Sequence, residues 1–482
     1  MAKPQVLILH GWSDTSKSFR PLASFLAANG YDTVPVWLGD YISLDDDVGV
    51  QDVAKRLDAE VREQLQSQRL QAPFDMIVHS TGGLVAREWL SSYCLPAGNV
   101  PVKRLVMLAP ANFGSRLAQL GQSMLGRLVK GWGNWFHTGK TMLGHLELAS
   151  PYLWDLAQRD LFIPLGKETA PSIYGPTGVW PFVIVGSHPY ADALRRIVNE
   201  NGSDGTVRVC AANLNVKGVT VDFARNEKDP VLTQWALRSQ EPIPFAVLPN
   251  RTHGSIVDPA GKSDIAVTSP NLQAQLGELI LKALSCDSPD AYRTLASDWE
   301  AISDDTAKLA NDDALRKSVF VEDGTAPELF HRFFQVITHV IDDHGADVLD
   351  YFLEFMSPDS DRSTDAAVYF HRQVLVDVHN NGANPAYRCL YADRNDLMTN
   401  YYGMIRKAAD KVLNMSISAN PPGDNISYFD NFVVGAKGTI TVHRLDENQA
   451  PGRWLERNRT HFVQIVIPRC AKDGVFKMVQ NG

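Results

Sequence analysis

The chain is poor in the features that define several classes of protein. Its 482 residues include five cysteines, and none of them forms a Cys-x-x-Cys pair. They are Cys94, Cys210, Cys286, Cys389 and Cys470. This spacing argues against a zinc site or a disulfide framework, so we expect free thiols in a reducing compartment. No apolar run approaches the roughly 18 residues that a membrane helix needs.

The sequence also lacks an excess of positive charge. Lys and Arg total 46 against 55 Asp and Glu, which gives a formal net charge of −9. This balance disfavours nucleic acid as a partner. The strand-like run Val6-Leu7-Ile8-Leu9 leaves no room for the apolar core of a signal peptide. We therefore expect a cytoplasmic protein, and the sequence is silent on export without such a signal.

What is present, from residue 6 to about residue 285, is an alternation of short apolar runs with amphipathic helices. Alternation of this kind predicts a mostly parallel sheet with helices on both faces. We expect this α/β domain to span residues 1–285. The predicted strands are Val6–Leu9, Thr33–Trp37, Phe74–Val78, Arg104–Ala109, Phe182–Val185 and Ala246–Leu248.

One segment interrupts the alternation, at about residues 113–175. Apolar residues at helical spacing between 117 and 129 are followed by aromatic residues among glycines, and the segment is too long for a simple connector. We interpret it as an inserted helical cap. Its apolar residues either line a substrate channel or pack the cap onto the sheet. The lining candidates are Leu125, Trp132, Trp135 and Phe136.

The composition and the hydrophobic pattern of the sequence change after about residue 285. Residues 286–320 are polar and acidic, and we expect a linker with some helix. In residues 321–482 several segments alternate with period two, which predicts an antiparallel, all-β, sandwich-like accessory domain. One such segment runs from Val368 to Val378, and Tyr401–Leu413 is predicted as a single helix. We also expect a fragment ending near Ser285 to stay folded, or to need the accessory domain only for solubility.

The sharpest chemical signal is the run Phe74-Asp75-Met76-Ile77-Val78-His79-Ser80-Thr81-Gly82-Gly83. An apolar strand that leads into serine and then into small residues is typical of the turn that exposes a nucleophile above a sheet. The usual pattern has glycine two residues before the serine, where this chain has Val78. Ser80 is therefore a candidate nucleophile, and the alternative is a helix N-cap.

A serine nucleophile needs two N–H donors that stabilise the developing oxyanion. Thr81, the residue after the nucleophile, offers one. The second is assigned to Trp12, which follows the strand-end pair His10-Gly11. An ordinary glycine turn at the end of the strand is the alternative interpretation.

A base held by an acid must activate the serine, and in this architecture the acid and then the histidine follow it along the chain. Asp204 lies in a turn cluster before an apolar run, and His253 is the one histidine between it and the expected domain boundary. We expect His10 and His79 to shape the site without transferring protons. Other acids also follow the serine, namely Asp155, Asp160, Asp192, Asp222 and Asp229.

These landmarks together resemble the α/β-hydrolase superfamily, and within it the lipase-like serine esterases. The resemblance covers residues 6–285 and rests on Leu9-His10-Gly11-Trp12, His79-Ser80-Thr81-Gly82-Gly83, Ala109–Ser115, Ser203–Val207 and His253-Gly254-Ser255. It implies a Ser80–Asp204–His253 triad with an oxyanion hole formed by Trp12 and Thr81. The accessory domain resembles no family that we can name.

The sequence-based hypothesis is a lipase or esterase that cleaves lipid-like carboxylic esters through an acyl-enzyme on Ser80. It needs no cofactor and no metal, and its partner is a lipid or small-molecule ester, with peripheral contact to a lipid interface. An acyltransferase or amidase with the same triad is an alternative. A catalytically silent binding protein on the same fold is another. Acyl length, head group and oligomeric state are not readable from the sequence.

Overall fold

A computed structural model describes most of the chain. The described residues are 3–11, 18–36, 47–118, 139–163, 172–176, 178–190, 199–239, 241–261, 270–309, 326–356, 365–405, 413–429, 437–442 and 454–479. Within these ranges no helix is long and apolar enough to cross a membrane.

Strands and helices alternate in the first half of the chain, and strands dominate after residue 330. The strands are β1 Gln5–Leu9, β2 Asp32–Val36, β3 Phe74–His79, β4 Val102–Leu108, β5 Trp180–Gly186, β6 Lys217–Asp222, β7 Val231–Gln234, β8 Phe245–Leu248, β9 Phe333–Asp342, β10 Tyr351–Met356, β11 Leu375–Asn380, β12 Tyr387–Asp393, β13 Asn414–Ala419, β14 Ile426–Tyr428, β15 Lys437–Thr441, β16 Thr460–Ile467 and β17 Arg469–Ala471. The α-helices are α1 Arg20–Ala28, α2 Val50–Gln66, α3 Gly82–Trp89, α4 Lys140–Leu146, α5 Pro151–Asp160, α6 Val209–Ala212, α7 Pro270–Ser285, α8 Pro289–Lys308 and α9 Asp365–Tyr369. Shorter or wider helical turns span Leu90–Cys94, Ser255–Val257, Ala326–Phe330, Phe370–Val374 and Asp396–Ile405.

The chain folds into two compact units. The first contains residues 1–215 and 237–332, and the second contains residues 216–236 and 333–482. The main chain therefore enters the second unit twice. The sequence-based boundary near residue 285 differs from this division in two ways. The hairpin formed by β6 and β7 pairs with a strand of the second unit, and residues 286–332 belong to the first unit.

The first unit is built on a six-stranded sheet in the order β2-β1-β3-β4-β5-β8. Every pairing in it is parallel. The side chains of β3 and β5 are buried along their full lengths, as expected for strands covered on both faces. This confirms the predicted α/β fold class, and each predicted strand lies within a residue or two of an observed one.

Helix α8 closes the edge of this sheet and is not a simple linker. The Ser303 hydroxyl donates to the carbonyl oxygen of Phe245 and accepts from the Val247 N–H, at 3.1 and 3.0 Å. The Thr306 hydroxyl donates to the Val247 carbonyl oxygen at 2.6 Å. Side-chain hydroxyls thus pair the main chain of β8, an edge strand that would otherwise present open hydrogen-bonding groups. Trp299, which belongs to the same helix, is fully buried.

The second unit contains a six-stranded sheet in the order β11-β12-β9-β16-β6-β7 and a three-stranded sheet in the order β10-β13-β15. Side chains from both sheets share one hydrophobic core, for example Val463 and Leu390 from the larger and Ile417 and Ile440 from the smaller. This agrees with the sandwich-like prediction. The prediction of purely antiparallel pairing is wrong, because β16 runs parallel to both β9 and β6.

One predicted strand is partly helical. Residues 365–374 form α9 and the helical turn after it, and only residues 375–380 form strand β11. Ala367, Phe370 and Val374 are buried at helical spacing, whereas Val376 and Val378 stay about half exposed. The period-two valines were therefore misleading, since burial follows the 3.6-residue period over most of this segment. The predicted helix at 401–413 starts earlier, at Asp396, and residues 406–412 lie outside the described ranges.

Candidate active site

Ser80 lies in a sharp turn between β3 and α3. Its φ angle is +55°, in the left-handed region that non-glycine residues rarely adopt. The turn is held by main-chain hydrogen bonds: the Ser80 N–H donates to Leu108 at 3.1 Å, and its carbonyl oxygen accepts from Gly83 at 3.0 Å. A strained residue that its surroundings fix in this way is typical of a functional position.

Two glycines let the end of β1 pack directly against this turn. A Cβ atom on Gly11 would lie 2.6 Å from the Ser80 Cβ and 2.8 Å from the His79 carbonyl oxygen. A Cβ on Gly82 would lie 2.9 Å from the carbonyl oxygen of Leu9. Any larger residue at either position would push the loop away from the serine. Gly11 immediately precedes Trp12, which itself lies outside the described residues.

Val78 replaces the glycine of the usual motif without disturbing the turn. It is fully buried in the middle of the sheet and lies in register with Leu9 of β1 and Met107 of β4. Within the motif, the position that must stay small is Gly82 on the helix side, because it contacts the end of β1.

The structure brings Ser80, His253 and Asp204 into one chain of hydrogen bonds. His253 Nε2 lies 3.0 Å from Ser80 Oγ, and His253 Nδ1 lies 2.8 Å from Asp204 Oδ2. Because Nδ1 faces a carboxylate, the ring proton belongs on Nδ1, which leaves Nε2 to accept from the serine hydroxyl. The geometry can therefore take a proton from Ser80.

The orientation of Asp204 is fixed by its own loop. Its second oxygen, Oδ1, accepts from the N–H groups of Thr206 and Val207 at 3.0 and 2.8 Å. The loop is closed by a nearly buried ion pair, in which Arg208 donates to both oxygens of Glu200 at 2.8 Å. Only Oδ2 is thus presented to His253.

The main chain of His253 is fixed from both sides. Its N–H donates to the Asp204 carbonyl oxygen at 2.9 Å, and its carbonyl oxygen accepts from His79 Nε2 at 3.0 Å. Both main-chain polar groups and both ring nitrogens of His253 are therefore engaged. Because the histidine is held at four points, its ring keeps its orientation when the proton moves.

His79 belongs to a small group of buried rings beside the site. Its ring centroid lies 4.7 Å from that of His253 and 5.7 Å from that of Phe19, which stacks on His10 at 5.4 Å. Burial keeps the pKa of His79 well below 6.5, and the neighbouring His253 lowers it further. A neutral His79 that donates from Nε2 agrees with the expectation that it shapes the site without transferring a proton.

A buried ion pair joins the helix after the nucleophile to α5. Arg87 donates to both oxygens of Asp160 at 2.7 and 3.0 Å and to the Asn112 carbonyl oxygen at 2.7 Å, and both side chains are fully buried. Tyr174 also donates to Asp160 at 3.0 Å. Sequence reasoning listed Asp160 only as a possible triad acid. The missed signal was Arg87 itself, a cation within the apolar run of α3.

A second, partly buried cluster holds α5 against the same helix. Glu88 accepts from Arg159 at 2.7 Å and from the Tyr152 hydroxyl at 2.9 Å, and Tyr152 stacks on His145 at 4.2 Å. Tyr152 is therefore used in packing this part of the predicted cap. The lining candidates Leu125, Trp132, Trp135 and Phe136 all lie outside the described residues.

The second unit contains an acidic turn at Asp342-Asp343-His344, and the carboxylate of Asp342 has its hydrogen-bond donors within that unit. Asp342 Oδ1 accepts from the N–H groups of His344 and Ala346 at 3.0 and 2.9 Å, and Oδ2 accepts from Arg469 at 2.8 Å. Across the described ranges, no group of three or more His, Cys, Asp or Glu residues is arranged to hold a metal ion.

Comparisons with known proteins agree with this architecture. A family described as "Domain of unknown function (DUF7379)" matches residues 1–146. No curated protein matches the sequence. Among solved structures, phospholipase PlaB from Legionella pneumophila is similar over 100% of this chain and 97% of its own, with 26% identity and a TM-score of 0.78. PlaB in complex with thio-NAD is similar over 99% and 96%, with 26% identity and a TM-score of 0.75.

The likeness extends over both units and not only over the α/β sheet. The chain therefore has a lipase-like α/β-hydrolase fold with additional β-sheets, and the comparison supports a lipase- or esterase-type carboxylic ester hydrolase.

Proposed function

We propose that this protein is a serine hydrolase that cleaves carboxylic esters of lipids through a covalent acyl-enzyme. The observation that carries the proposal is the hydrogen-bonded chain from Ser80 Oγ through His253 to Asp204 Oδ2. The positive φ of Ser80 and the close packing of Gly11 support the same assignment. The whole-chain likeness to a phospholipase favours a lipid ester over a small soluble one.

In the first half of the reaction, Ser80 Oγ attacks the ester carbonyl carbon while His253 Nε2 takes the serine proton. The negative charge that develops on the carbonyl oxygen is stabilised by the main-chain N–H groups of Thr81 and Trp12. The C–O bond then breaks, and the imidazolium passes its proton to the leaving alcohol.

In the second half, water attacks the acyl-serine and His253 accepts a proton from the water. Collapse of the intermediate releases the carboxylic acid and returns the proton to Ser80. Asp204 stays ionised throughout, holds the ring by Nδ1 and stabilises the imidazolium form. Burial of Asp204 and of the ring strengthens this interaction relative to water.

The test is hydrolysis of p-nitrophenyl esters from acetate to palmitate, and of phosphatidylcholine, by wild type and by Ser80→Ala. We expect Ser80→Ala to lose about 10⁴–10⁶ in turnover. A fluorophosphonate probe should label wild type and not the variant. Folded wild-type protein that neither hydrolyses these esters nor takes the probe would contradict the proposal and favour the binding-protein alternative.

Two neighbouring activities need the same catalytic groups and are separated by product analysis. A competing alcohol that diverts most of the acyl group from water identifies an acyltransferase. Faster release of an amine from a matched acyl amide than of alcohol from the ester identifies an amidase. With water as the main acceptor and the ester as the better substrate, the hydrolase proposal stands.

The likeness to a phospholipase solved with thio-NAD supports a second proposal, that this chain also binds a nicotinamide dinucleotide. We expect NAD⁺ to raise the melting temperature of Ser80→Ala and of wild type alike, and AMP to raise it less. No change at millimolar NAD⁺ would contradict this proposal and leave the hydrolase assignment unaffected.

A further inference from the structure

The most exposed large apolar side chains of the described residues lie together in one short segment of the second unit. Phe476 is 76% exposed, Met478 is 90% exposed and Val479 is 83% exposed, and Val475 in the same run is 54% exposed. Single exposed apolar residues are common on protein surfaces, but a contiguous group usually marks an interaction site.

The base of this segment is firmly attached to the unit. Strand β17, just before it, pairs with β14. The Lys472 N–H donates to the Asn425 carbonyl oxygen at 3.0 Å, and the Val475 N–H donates to the Lys472 carbonyl oxygen at 2.9 Å. The exposed side chains therefore follow a turn that is held in place.

The charge of the segment indicates what the apolar side chains contact. Lys472 and Lys477 are both exposed and stand against one acid, Asp473, whereas the whole chain carries a net charge of −9. A locally basic and apolar segment on an acidic protein is suited to an anionic, partly apolar surface. A stable dimer interface buries roughly 800 Å² on each partner, which is more than these four side chains supply by themselves.

We propose that residues 472–479 contact the surface of anionic lipid membranes. Phe476, Met478 and their valine neighbours enter the boundary between head groups and acyl chains, and the two lysines remain at the level of the phosphates. The choice of a lipid membrane as the partner rests on the proposed function, because a lipid ester hydrolase must reach a substrate that resides in a bilayer.

The test uses two variants that keep the charge constant and a third that changes it. F476Q/M478Q removes two of the apolar side chains, and L349Q/F352Q is the matched control, because Leu349 and Phe352 are exposed apolar residues elsewhere in the same unit. K472E/K477E tests the charge. Each is sedimented with vesicles of phosphatidylcholine alone or mixed with phosphatidylglycerol. Hydrolysis of soluble p-nitrophenyl acetate is measured in parallel and should be unchanged in all of them.

Wild type should bind the mixed vesicles, and F476Q/M478Q should bind them at least about tenfold more weakly. L349Q/F352Q should bind like wild type. K472E/K477E should lose at least about fivefold on mixed vesicles and little on phosphatidylcholine alone.

Equal binding by F476Q/M478Q and wild type would overturn the proposal. So would an oligomer of wild type that F476Q/M478Q dissociates while vesicle binding persists, since a second copy would then cover the segment. Wild type that hydrolyses soluble esters but ignores vesicles overturns the membrane contact alone. Wild type that binds vesicles through this segment but hydrolyses no ester overturns the proposed function alone.

Discussion

His79 Nε2 lies 3.0 Å from the carbonyl oxygen of His253 and donates a hydrogen bond to it. The residue next to the nucleophile in the sequence thus holds the main chain of the base, which is 174 residues further along. The loop of His253 and the turn of Ser80 are tied together beside the reacting atoms. Because burial keeps the pKa of His79 well below 6.5, this donor stays neutral at working pH.

We predict that His79→Leu lowers kcat on p-nitrophenyl acetate by about 10–100-fold with little change in KM, since a lost buried hydrogen bond is worth roughly 1–3 kcal/mol. His79→Gln keeps an N–H donor at a similar reach and should retain most of the activity. The acid limb of the pH–rate profile should be the same in His79→Gln and wild type. Equal losses in the two variants would show that the ring itself, and not its donor, is required.

Asp204→Asn should lower kcat by about 10³–10⁴-fold while the protein stays folded. Thr206 and Val207 donate to Oδ1, so the amide oxygen occupies that position and the NH₂ group faces His253 Nδ1. The ring proton then moves to Nε2, which can no longer accept from Ser80. Asp155→Asn, an exposed carboxylate in α5, is the control and should leave kcat unchanged. Circular dichroism checks folding in both.

Gly11→Ala should reduce both kcat and the rate of fluorophosphonate labelling by about 100-fold, because its Cβ would lie within 3 Å of both Ser80 and His79. Gly254→Ala is a matched control beside the base. Gly254 has helical φ and ψ angles, and nothing lies within 4 Å of a Cβ built there. Comparable losses in the two variants would contradict the role of close approach at Gly11.

Asp160→Asn should lower the free energy of unfolding by about 3–5 kcal/mol, because it leaves the fully buried Arg87 without its counter-ion. The double variant Arg87→Met, Asp160→Leu should be more stable than Asp160→Asn alone, since neither charge remains. Urea titration followed by tryptophan fluorescence measures both. Glu60→Gln, which breaks the exposed pair with Arg56, should change stability by less than about 1 kcal/mol.

Stability should fall below pH 6.5 in a way that depends on His461 in the second unit. Its Nε2 accepts from the Glu456 N–H at 2.9 Å and its Nδ1 faces the Gln335 carbonyl oxygen at 3.1 Å, so a second ring proton would meet another donor. Burial lowers its pKa from 6.5 to about 3. The hydrogen bond with Gln335 and the charge of Glu456 oppose this shift, while Lys217 and Arg459 nearby lower the pKa further.

The sign follows from this depressed pKa. Between pH 6.5 and about 3 the unfolded chain binds a proton at this position and the folded chain does not, so stability falls as the pH falls. The slope is about 1.4 kcal/mol per pH unit for this one group. His461→Gln should show a shallower dependence of the urea midpoint on pH than wild type over this range. Identical slopes would assign the acid sensitivity to other groups.

The sequence was sufficient to predict those parts of the molecule that depend on local patterns of residues. The strands β1, β3, β4, β5 and β8 each contain a short apolar run, and the turn at Ser80 depends on neighbours in the sequence. The expected order of Ser80, Asp204 and His253 along the chain matches a single hydrogen-bonded set in the structure.

The rest depends on contacts between distant segments. Nothing near Arg87 specifies Asp160 as its partner, 73 residues away. The hydroxyls of Ser303 and Thr306 look like ordinary polar residues of a helix until β8 is placed beside them. Strand β6 reads as one more alternating segment, and only its pairing with β16 assigns it to the second unit.

The double entry of the chain into the second unit has a consequence for how the two units can be separated. A fragment ending near Ser285 keeps β6 and β7 but loses their neighbour β16, and it loses the helix that covers the edge of β8. No single cut in the gene yields two complete units. Separate production requires replacing residues 216–236 by a short linker and stopping after Arg332. By the same reasoning, fusion of a β-domain gene to one end of a hydrolase gene does not create this arrangement, because an internal insertion is needed as well.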